Sequence, residues 1–305
     1  MRPRIELDAD EIIDSHTHCG GFLLSNLLLE SYPYSQDTLD LVRKMQSNKV
    51  KYSICFPFPI ANGFCESFTP ELYNRLLVKE VKSFGKDLLL PFAYIRLDDT
   101  LQRQLGCLEQ LFNDFPFYGV KLYPHCDKYY ICDKEIEEPL TTFLLAYDFP
   151  VIVHSSFEGY GNPGIILDFA RKHPNIRVTL AHAARFLTSA FLEIKNLQNV
   201  FLDCSPLNML CEVMRNAAKK KRYEIENFSF DKPEKVLYQL ATIFPDKLLW
   251  GSDSPCSFLT NFSDNAVVEF SEKYTYEADI RVLRSLPHKY IKQIANKNTL
   301  RFLFG

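Results

Sequence analysis

Two histidines separated by one residue, His16 and His18, lie in the stretch DSHTHCG near the start of the chain. Side chains alternate along a β-strand, so histidines at this spacing point to the same side, roughly 6–7 Å apart. Neutral imidazole nitrogens are good ligands for Zn²⁺ and similar ions. The pair therefore predicts part of a metal site. Asp14, on the same side, is expected one layer deeper, where it would orient a ligand or a neighbouring backbone.

Further groups of the same chemistry end other β-rich runs of the sequence. Four of the chain's seven histidines end such runs, and His125 follows one by two residues. The four are His16, His18, His154 and His182. Asp253 ends the last run. A single histidine in an apolar strand is most often a buried core residue, but four of them together with Asp253 favour a metal site.

Eight short β-rich runs alternate with segments in which apolar residues recur at helical spacing. The runs are residues 11–16, 51–58, 88–97, 117–123, 150–156, 177–183, 200–205 and 247–253. This alternation predicts right-handed βαβ units and a parallel sheet. Eight such units fit a distorted (β/α)₈ TIM barrel, an α/β fold that needs about 250 residues. Active sites of such barrels lie at the C-terminal ends of the strands, where these histidines lie.

The sequence predicts one barrel domain over residues 1–305. No internal repeat or low-complexity linker divides it, and no GxGxxG follows the first run, which argues against an open doubly wound sheet. We expect an insertion around 206–246, with an extra helix or a lid, because the interval before the last strand is long. Closing helices are expected over 265–305.

Composition excludes several classes of partner. The net charge of −3 gives no general attraction to nucleic acid or to anionic membranes. No stretch reaches the roughly 18 apolar residues of a membrane span, and the first ten residues lack the apolar segment of a signal peptide. Nine cysteines without paired CxxC spacing indicate reduced thiols. We therefore expect a cytoplasmic protein that acts on a small molecule.

Basic residues near the predicted strand ends indicate an anionic substrate. Arg96 and Arg185 lie on the predicted rim, and guanidinium groups bind carboxylates through two hydrogen bonds. Lys121 allows three interpretations: a salt-bridged structural lysine, a contact for a substrate carboxylate, or an amine that carbon dioxide carbamylates so that it bridges two metal ions. The remaining candidates for substrate contact are Tyr123, Glu158, Asn162 and Ser205.

The motifs IIDSHTHCG, GVKLYP, VIVHSS, LAHA, WGSDSP and NTLRFLFG occur in this order over nearly the whole chain. Together they resemble the amidohydrolase superfamily, and more narrowly the amidohydrolase-related branch that includes aminocarboxymuconate-semialdehyde decarboxylase. The resemblance implies the same distorted barrel, with His16, His18, His154 and Asp253 as metal ligands. It implies that His182 is a catalytic acid or base, or else the ligand of a second metal. Barrels of this branch often pair, so a homodimer is one expectation.

One motif departs from the family pattern. In LAHAAR, Ala183 follows the strand-six histidine where relatives usually carry glycine, and Ala184 narrows the same space. Arg185 adds a positive charge. The substrate of a named relative therefore does not transfer to this chain.

The expected cofactor is Zn²⁺, as one ion or two, with Mn²⁺ or Fe²⁺ as alternatives. Bound zinc would make hydroxide available near neutral pH. Asp253 would accept the proton of the attacking water, and His182 would stabilise the oxyanion or supply a proton. We therefore expect a metal-dependent hydrolase that acts on an amide, lactone or ester bond of a small anionic substrate. The alternatives are a non-oxidative decarboxylase of an aromatic or enoic carboxylate and a non-catalytic metal-binding barrel.

Overall fold

Eight parallel strands form one sheet in which each strand pairs with the next along the chain. The computed structural model describes residues 5–8, 10–19, 36–57, 69–85, 88–255, 258–260, 268–270 and 272–305. The strands are β1 Ile12–His18, β2 Val50–Phe56, β3 Leu89–Ile95, β4 Gly119–Leu122, β5 Val151–Val153, β6 Val178–Leu180, β7 Val200–Asp203 and β8 Leu248–Leu249. All eight predicted strands are present, although several are shorter than the apolar runs suggested.

Backbone hydrogen bonds between β1 and the segment that follows β8 close the sheet on itself. Ser15 N donates to Trp250 O at 3.0 Å, and Asp253 N donates to His16 O at 2.7 Å. His18 N in turn donates to the carbonyl of residue 254 at 2.8 Å. Thus the predicted (β/α)₈ barrel is confirmed, and its closure places Asp253 beside the two histidines of β1.

Helices connect the strands and pack around the barrel. The α-helices of five residues or more are α1 Thr38–Ser47, α2 Pro70–Glu80, α3 Leu101–Asp114, α4 Lys134–Ala146, α5 Pro163–Lys172, α6 Thr188–Ile194, α7 Leu207–Lys220, α8 Pro233–Ile243, α9 Tyr276–Arg284, α10 His288–Lys292 and α11 Asn298–Phe304, and a single further turn of α-helix covers Pro124–Asp127. Four of them begin at a side chain that accepts a hydrogen bond from the first turn, at Asp37, Thr69, Asn162 and Thr275. Within the described residues, no helix is long and apolar enough to cross a membrane.

The long interval before β8 contains α7 and α8, and the expected insertion over 206–246 stays a prediction. The closing helices begin at Tyr276, later than the sequence suggested. Val268–Phe270 instead forms a strand, β10, which pairs antiparallel with β9, Phe258–Thr260. Because apolar residues alternate with a charge in Val-Glu-Phe, this stretch has the period of a strand rather than that of a helix.

Two apolar layers of buried side chains make up the core. Alternate residues of each strand face the helices, whereas the others, such as Phe92 and Tyr94 of β3, fill the barrel. The ring of Phe302, on α11, belongs to the inner layer, with its centroid 6.1 Å from that of Phe92 and 5.5 Å from that of Phe201. The last helix therefore contributes to the packing inside the barrel.

A buried carboxyl group joins two of the outer helices. Asp279 Oδ1, on α9, accepts hydrogen bonds from Asn208 N at 3.2 Å and Asn208 Nδ2 at 2.8 Å, on α7. Its Oδ2 is buried without a hydrogen-bond partner among the described residues. Burial raises the pKa of Asp279 to about 8. The folded protein therefore keeps this group protonated at neutral pH, whereas the unfolded chain ionises it.

Because the folded-state pKa of Asp279 lies above its unfolded value, stability contributed by its protonated form is lost as the pH rises from about 4 to about 8. Asp279→Asn removes this titration and keeps the acceptor for Asn208. Between pH 5.5 and 8 the wild type should lose stability that the variant keeps. We expect the difference in free energy of unfolding, variant minus wild type, to rise by up to about 3 kcal/mol over this range. Urea unfolding of chelator-treated protein measures it. Asp168→Asn, at an exposed carboxylate, is the control, and parallel pH profiles of D279N and the wild type would contradict the prediction.

Candidate metal centre

His16, His18 and Asp253 bring three ligand atoms together at the C-terminal end of the barrel. Asp253 Oδ1 lies 3.1 Å from His16 Nε2 and 2.8 Å from His18 Nε2. The donor atoms of the three residues lie within 4.8 Å of one another, and all three residues are buried. We call these residues the metal triad. Two imidazole nitrogens and a carboxylate are the ligand types that Zn²⁺ prefers.

An irregularity in β1 aims the two histidines. Asp14 lies opposite Ser53 on β2 and Thr17 lies opposite Cys55, so β1 has one residue more than β2 over this interval. Such bulges redirect side chains next to active sites. Asp14 Oδ1 accepts hydrogen bonds from His16 N at 3.1 Å and from the backbone N of residue 252 at 3.0 Å. Asp14 therefore holds the backbone of β1 against the segment that carries Asp253.

The charges of the triad suit a cation. Burial alone would raise the pKa of Asp253, but His16 and His18 hold that pKa well below its usual range, so the carboxylate is ionised. Burial lowers the pKa of His18 to about 4, although Asp253 opposes this, so its imidazole is neutral. Burial and Lys121 would lower the pKa of His16, but Asp203 and Asp253 raise it.

Asp203, at the end of β7, is a residue that the sequence analysis missed. Its Oδ2 lies 2.9 Å from His16 Nδ1. Burial would raise the pKa of Asp203, but His16 lowers it, so the carboxylate is ionised and only accepts hydrogen bonds. The one signal in the sequence was the carboxylate of VFLDCS at the end of the seventh predicted strand.

The hydrogen bond to Asp203 tests whether the triad fits a metal ion. His16 Nδ1 must donate to Asp203, so the neutral imidazole has its lone pair on Nε2, which faces Asp253 Oδ1 at 3.1 Å. Two acceptors at this distance repel each other unless a cation lies between them or the imidazole gains a second proton. The raised pKa of His16 shows that the two carboxylates stabilise positive charge at this position. The residues present therefore fit a divalent metal ion.

His154 and His182 form a second pair beside the triad. His154 Nδ1 lies 2.9 Å from His182 Nε2, and His182 Nδ1 lies 2.6 Å from the carbonyl oxygen of Ser205. A carbonyl only accepts, so His182 carries its proton on Nδ1 and accepts from His154 at Nε2. Burial and nearby Arg185 lower the pKa of His182 to about 3, and burial and His182 lower that of His154. Hence both imidazoles are neutral. The ring centroid of His182 lies 5.3 Å from that of His16. His154, expected as a ligand, contacts His182, and its role as a metal ligand stays a prediction.

The turn that carries His182 has an unusual backbone. Five consecutive non-glycine residues, His182–Phe186, have φ between 46° and 58°, a left-handed conformation that costs roughly 1–2 kcal/mol per residue. Neighbouring elements hold it: His182 N donates to Asp203 Oδ1 at 3.2 Å, and Arg185 Nε donates to Ser155 O at 2.7 Å. The strain persists because these contacts determine the conformation. The turn places both His182 and Arg185 beside His154.

Lys121 and Tyr123 lie beside the two histidines of the triad. Lys121 is fully buried, with Nζ 3.4 Å from His16 Nε2 and 4.6 Å from the centre of the Phe56 ring. Tyr123 Oη donates to the carbonyl of residue 57 at 2.9 Å and lies 3.5 Å from His18 Nδ1. Lys121 therefore lies beside a ligand nitrogen of the triad, whereas Tyr123 lies beside the other ring nitrogen of His18.

Other sequence candidates have different partners in the structure. The guanidinium of Arg96 pairs with Asp98 on the loop after β3, and its backbone N donates to Gln104 Oε1 at 2.9 Å. Glu158 accepts from Arg222 at 2.8 and 3.0 Å. Arg96 and Glu158 are therefore paired with Asp98 and Arg222, whereas Arg185 lies against the histidine pair.

Comparisons with known proteins agree with this geometry. The family model described as Amidohydrolase matches residues 13–304, and a search of curated proteins found no match. A protein named as a 2-pyrone-4,6-dicarboxylic acid hydrolase from Pseudomonas putida is 14% identical, with a TM-score of 0.62 over 97% of this chain and 99% of that chain. An amidohydrolase from Burkholderia multivorans with bound zinc is 14% identical, with a TM-score of 0.61 over 96% and 99%. IDCase from Metarhizium anisopliae in its apo form is 12% identical, with a TM-score of 0.55 over 96% and 97%.

At these identities the solved structures show the shared fold alone. The family model, in contrast, covers nearly the whole chain, in line with the order of the motifs. The sequence-based identification is confirmed: the chain belongs to the amidohydrolase family of enzymes.

Proposed function

We propose that the protein is a metal-dependent hydrolase that cleaves an ester, lactone or amide bond of a small anionic substrate. The observation that carries this proposal is the metal triad, whose donor atoms lie within 4.8 Å of one another in a buried site. These ligands suit Zn²⁺, and Mn²⁺ or Fe²⁺ can use the same set. The zinc bound to the Burkholderia multivorans amidohydrolase, which shares the fold, supports this assignment.

A divalent ion held by the triad would supply Lewis acidity and make hydroxide available near neutral pH. Asp253, which stays ionised beside two imidazoles, accepts the proton of the attacking water and passes it to the leaving group. His182 is neutral and holds its own proton on Nδ1 against Ser205 O. Its Nε2 already accepts from His154 Nδ1 at 2.9 Å, so His182 has no proton to give on that side, and the geometry favours a base rather than an acid at this position.

The charges around the triad support an anionic substrate. Burial lowers the pKa of Arg185 to about 10, so the guanidinium stays charged at neutral pH. Arg185 Nε is engaged by Ser155 and Nη2 lies 3.4 Å from His154 Nε2. No described residue accepts a hydrogen bond from Nη1, which leaves that nitrogen for a substrate carboxylate. A carboxylate held there would lie beside His154, which in turn contacts His182.

The activity is tested with zinc-loaded enzyme and a panel of carboxylated lactones, esters and amides in ¹⁸O-labelled water. We expect one ¹⁸O atom in the product, loss of activity with a chelator and recovery with zinc. Release of carbon dioxide without incorporation of ¹⁸O would support a decarboxylase instead. Stoichiometric zinc with no turnover of either kind would support a non-catalytic barrel.

His18→Ala removes one of the three donor atoms of the triad and is therefore expected to raise the Kd for Zn²⁺. The increase should exceed the roughly 10–100-fold that follows the loss of a residue hydrogen-bonded to a metal ligand. Competition titration against a chromophoric chelator measures this Kd. His173→Ala is the matched control, since that imidazole pairs with Glu137 at 2.8 Å, outside the triad. The wild type should bind one ion per chain, because His154 and His182 are engaged with each other. Equal Kd values for H18A and the wild type would rule out the triad as the site.

Arg185→Met is expected to lower kcat/KM for a carboxylated substrate by about 10–100-fold, as for the loss of a charged hydrogen bond. The matched neutral analogue, with an amide in place of the carboxylate, should lose far less. Arg96→Met is the control, because Arg96 pairs with Asp98 and should leave the ratio of the two rates unchanged. Equal losses on both substrates would show that Arg185 acts on the site as a whole and not on a substrate carboxylate.

A further inference from the structure

The carboxylate of Asp203 connects the metal triad to the histidine pair. Its Oδ2 accepts from His16 Nδ1 at 2.9 Å. Its Oδ1 accepts from Ser205 Oγ at 2.6 Å, from Ser205 N at 3.0 Å and from His182 N at 3.2 Å. Asp203 is fully buried, so no water competes for these bonds. One side chain on β7 thus contacts residues from β1 and from the turn after β6.

We propose that Asp203 is a positioning residue that fixes the tautomer of His16, so that Nε2 carries the lone pair a metal ion needs. This inference rests on the proposed metal-dependent function. Both oxygens of an ionised carboxylate only accept hydrogen bonds. His16 must therefore place its proton on Nδ1, and its other nitrogen faces Asp253 and His18 as a ligand. Partners of this kind commonly set the orientation and basicity of metal-bound histidines.

The same carboxylate also helps to set the proton position of His182. Asp203 Oδ1 holds the Ser205 hydroxyl and the His182 backbone, and the Ser205 carbonyl accepts the proton on His182 Nδ1. In both His16 and His182 the proton is therefore on Nδ1, directed at Asp203 and at the Ser205 carbonyl respectively. Both Nε2 atoms are left as acceptors.

Asp203→Asn separates this role from a role in packing, because the side chain keeps its shape. Three donors, from Ser205 and His182, converge on Oδ1, so the amide must keep its oxygen there. Its NH₂ group then faces His16 Nδ1, and two donors would meet. We expect His16 to move its proton to Nε2, where it points at Asp253 and removes the lone pair from the triad.

The first test is the Kd for Zn²⁺ by competition titration. Asp203→Asn should raise it by about 10–100-fold, the usual cost of losing such a partner. Asp127→Asn is the matched control: that carboxylate is also buried and accepts from Tyr94 Oη at 3.1 Å and from the backbone N of residue 97 at 2.9 Å, away from the triad. Ser205→Ala keeps the charge of Asp203 and should have a much smaller effect. An affinity of D203N equal to that of the wild type would overturn the proposal.

The second test records which ring nitrogen of His16 carries a proton, by long-range ¹H–¹⁵N correlation on metal-free protein, at a pH where this ring carries a single proton, with His16→Gln as the assignment reference. We expect Nδ1 in the wild type and Nε2 in D203N. The wild-type measurement needs no folded variant, and a proton on Nε2 there would overturn the proposal by itself. A wild type that binds no zinc would instead refute the proposed function, so the two failures are distinguishable.

Discussion

Closure of the barrel between β1 and the segment after β8 determines where every group of the metal centre lies. Asp253 is 235 residues from His18 in the chain, and the hydrogen bonds between its backbone and that of His16 bring it to the triad. This approach needs a residue without a side chain at Gly251, where a Cβ atom would lie 2.7 Å from His16 Cβ and 3.0 Å from His16 N. The candidate metal centre therefore lies where β1 meets the segment after β8 and closes the barrel.

Burying charged groups costs free energy, and contacts within the candidate metal centre must offset that cost. Asp203 and Asp253 are both buried, and each carboxylate would be unfavourable there without a positively charged partner. Lys121 and Arg185 supply positive charge nearby, and His16 contacts both carboxylates. The left-handed turn at His182–Phe186 adds conformational strain. The buried carboxylates and the strained turn, both of which lower the stability of the fold, therefore lie at the same end of the barrel as the candidate metal centre.

The sequence predicted the parts of the structure that leave a periodic or ordered pattern. Eight apolar runs alternate with helical segments, and this pattern sufficed for the strands and the barrel. Val268–Phe270 was missed because a three-residue strand is too short to outweigh the helical pattern that follows it. Arg96 and Arg185 are equivalent in the sequence, since both follow a strand, and only the loop geometry pairs the former with Asp98.

The histidine tautomers, and residues such as Asp203 that hydrogen-bond to a predicted ligand, could not be predicted from the sequence for a different reason. A carboxylate at a strand end has no distinct signature until its neighbour is known, and the neighbour of Asp203 is 187 residues away. For the same reason, the spacing of His154 and His182 could not show that their nitrogens contact each other. The roles of these two histidines depend on which of their ring atoms are in contact. Their spacing along the chain determines only which strand ends carry them.

The position of Phe302 inside the barrel has a consequence for synthesis. Its ring packs between residues of β3 and β7, although it lies on the last helix of the chain. During translation, the earlier strands can pair as they emerge, but the inner layer stays incomplete until α11 leaves the ribosome. A chain that lacks α11 would therefore leave the rings of Phe92 and Phe201 without this contact.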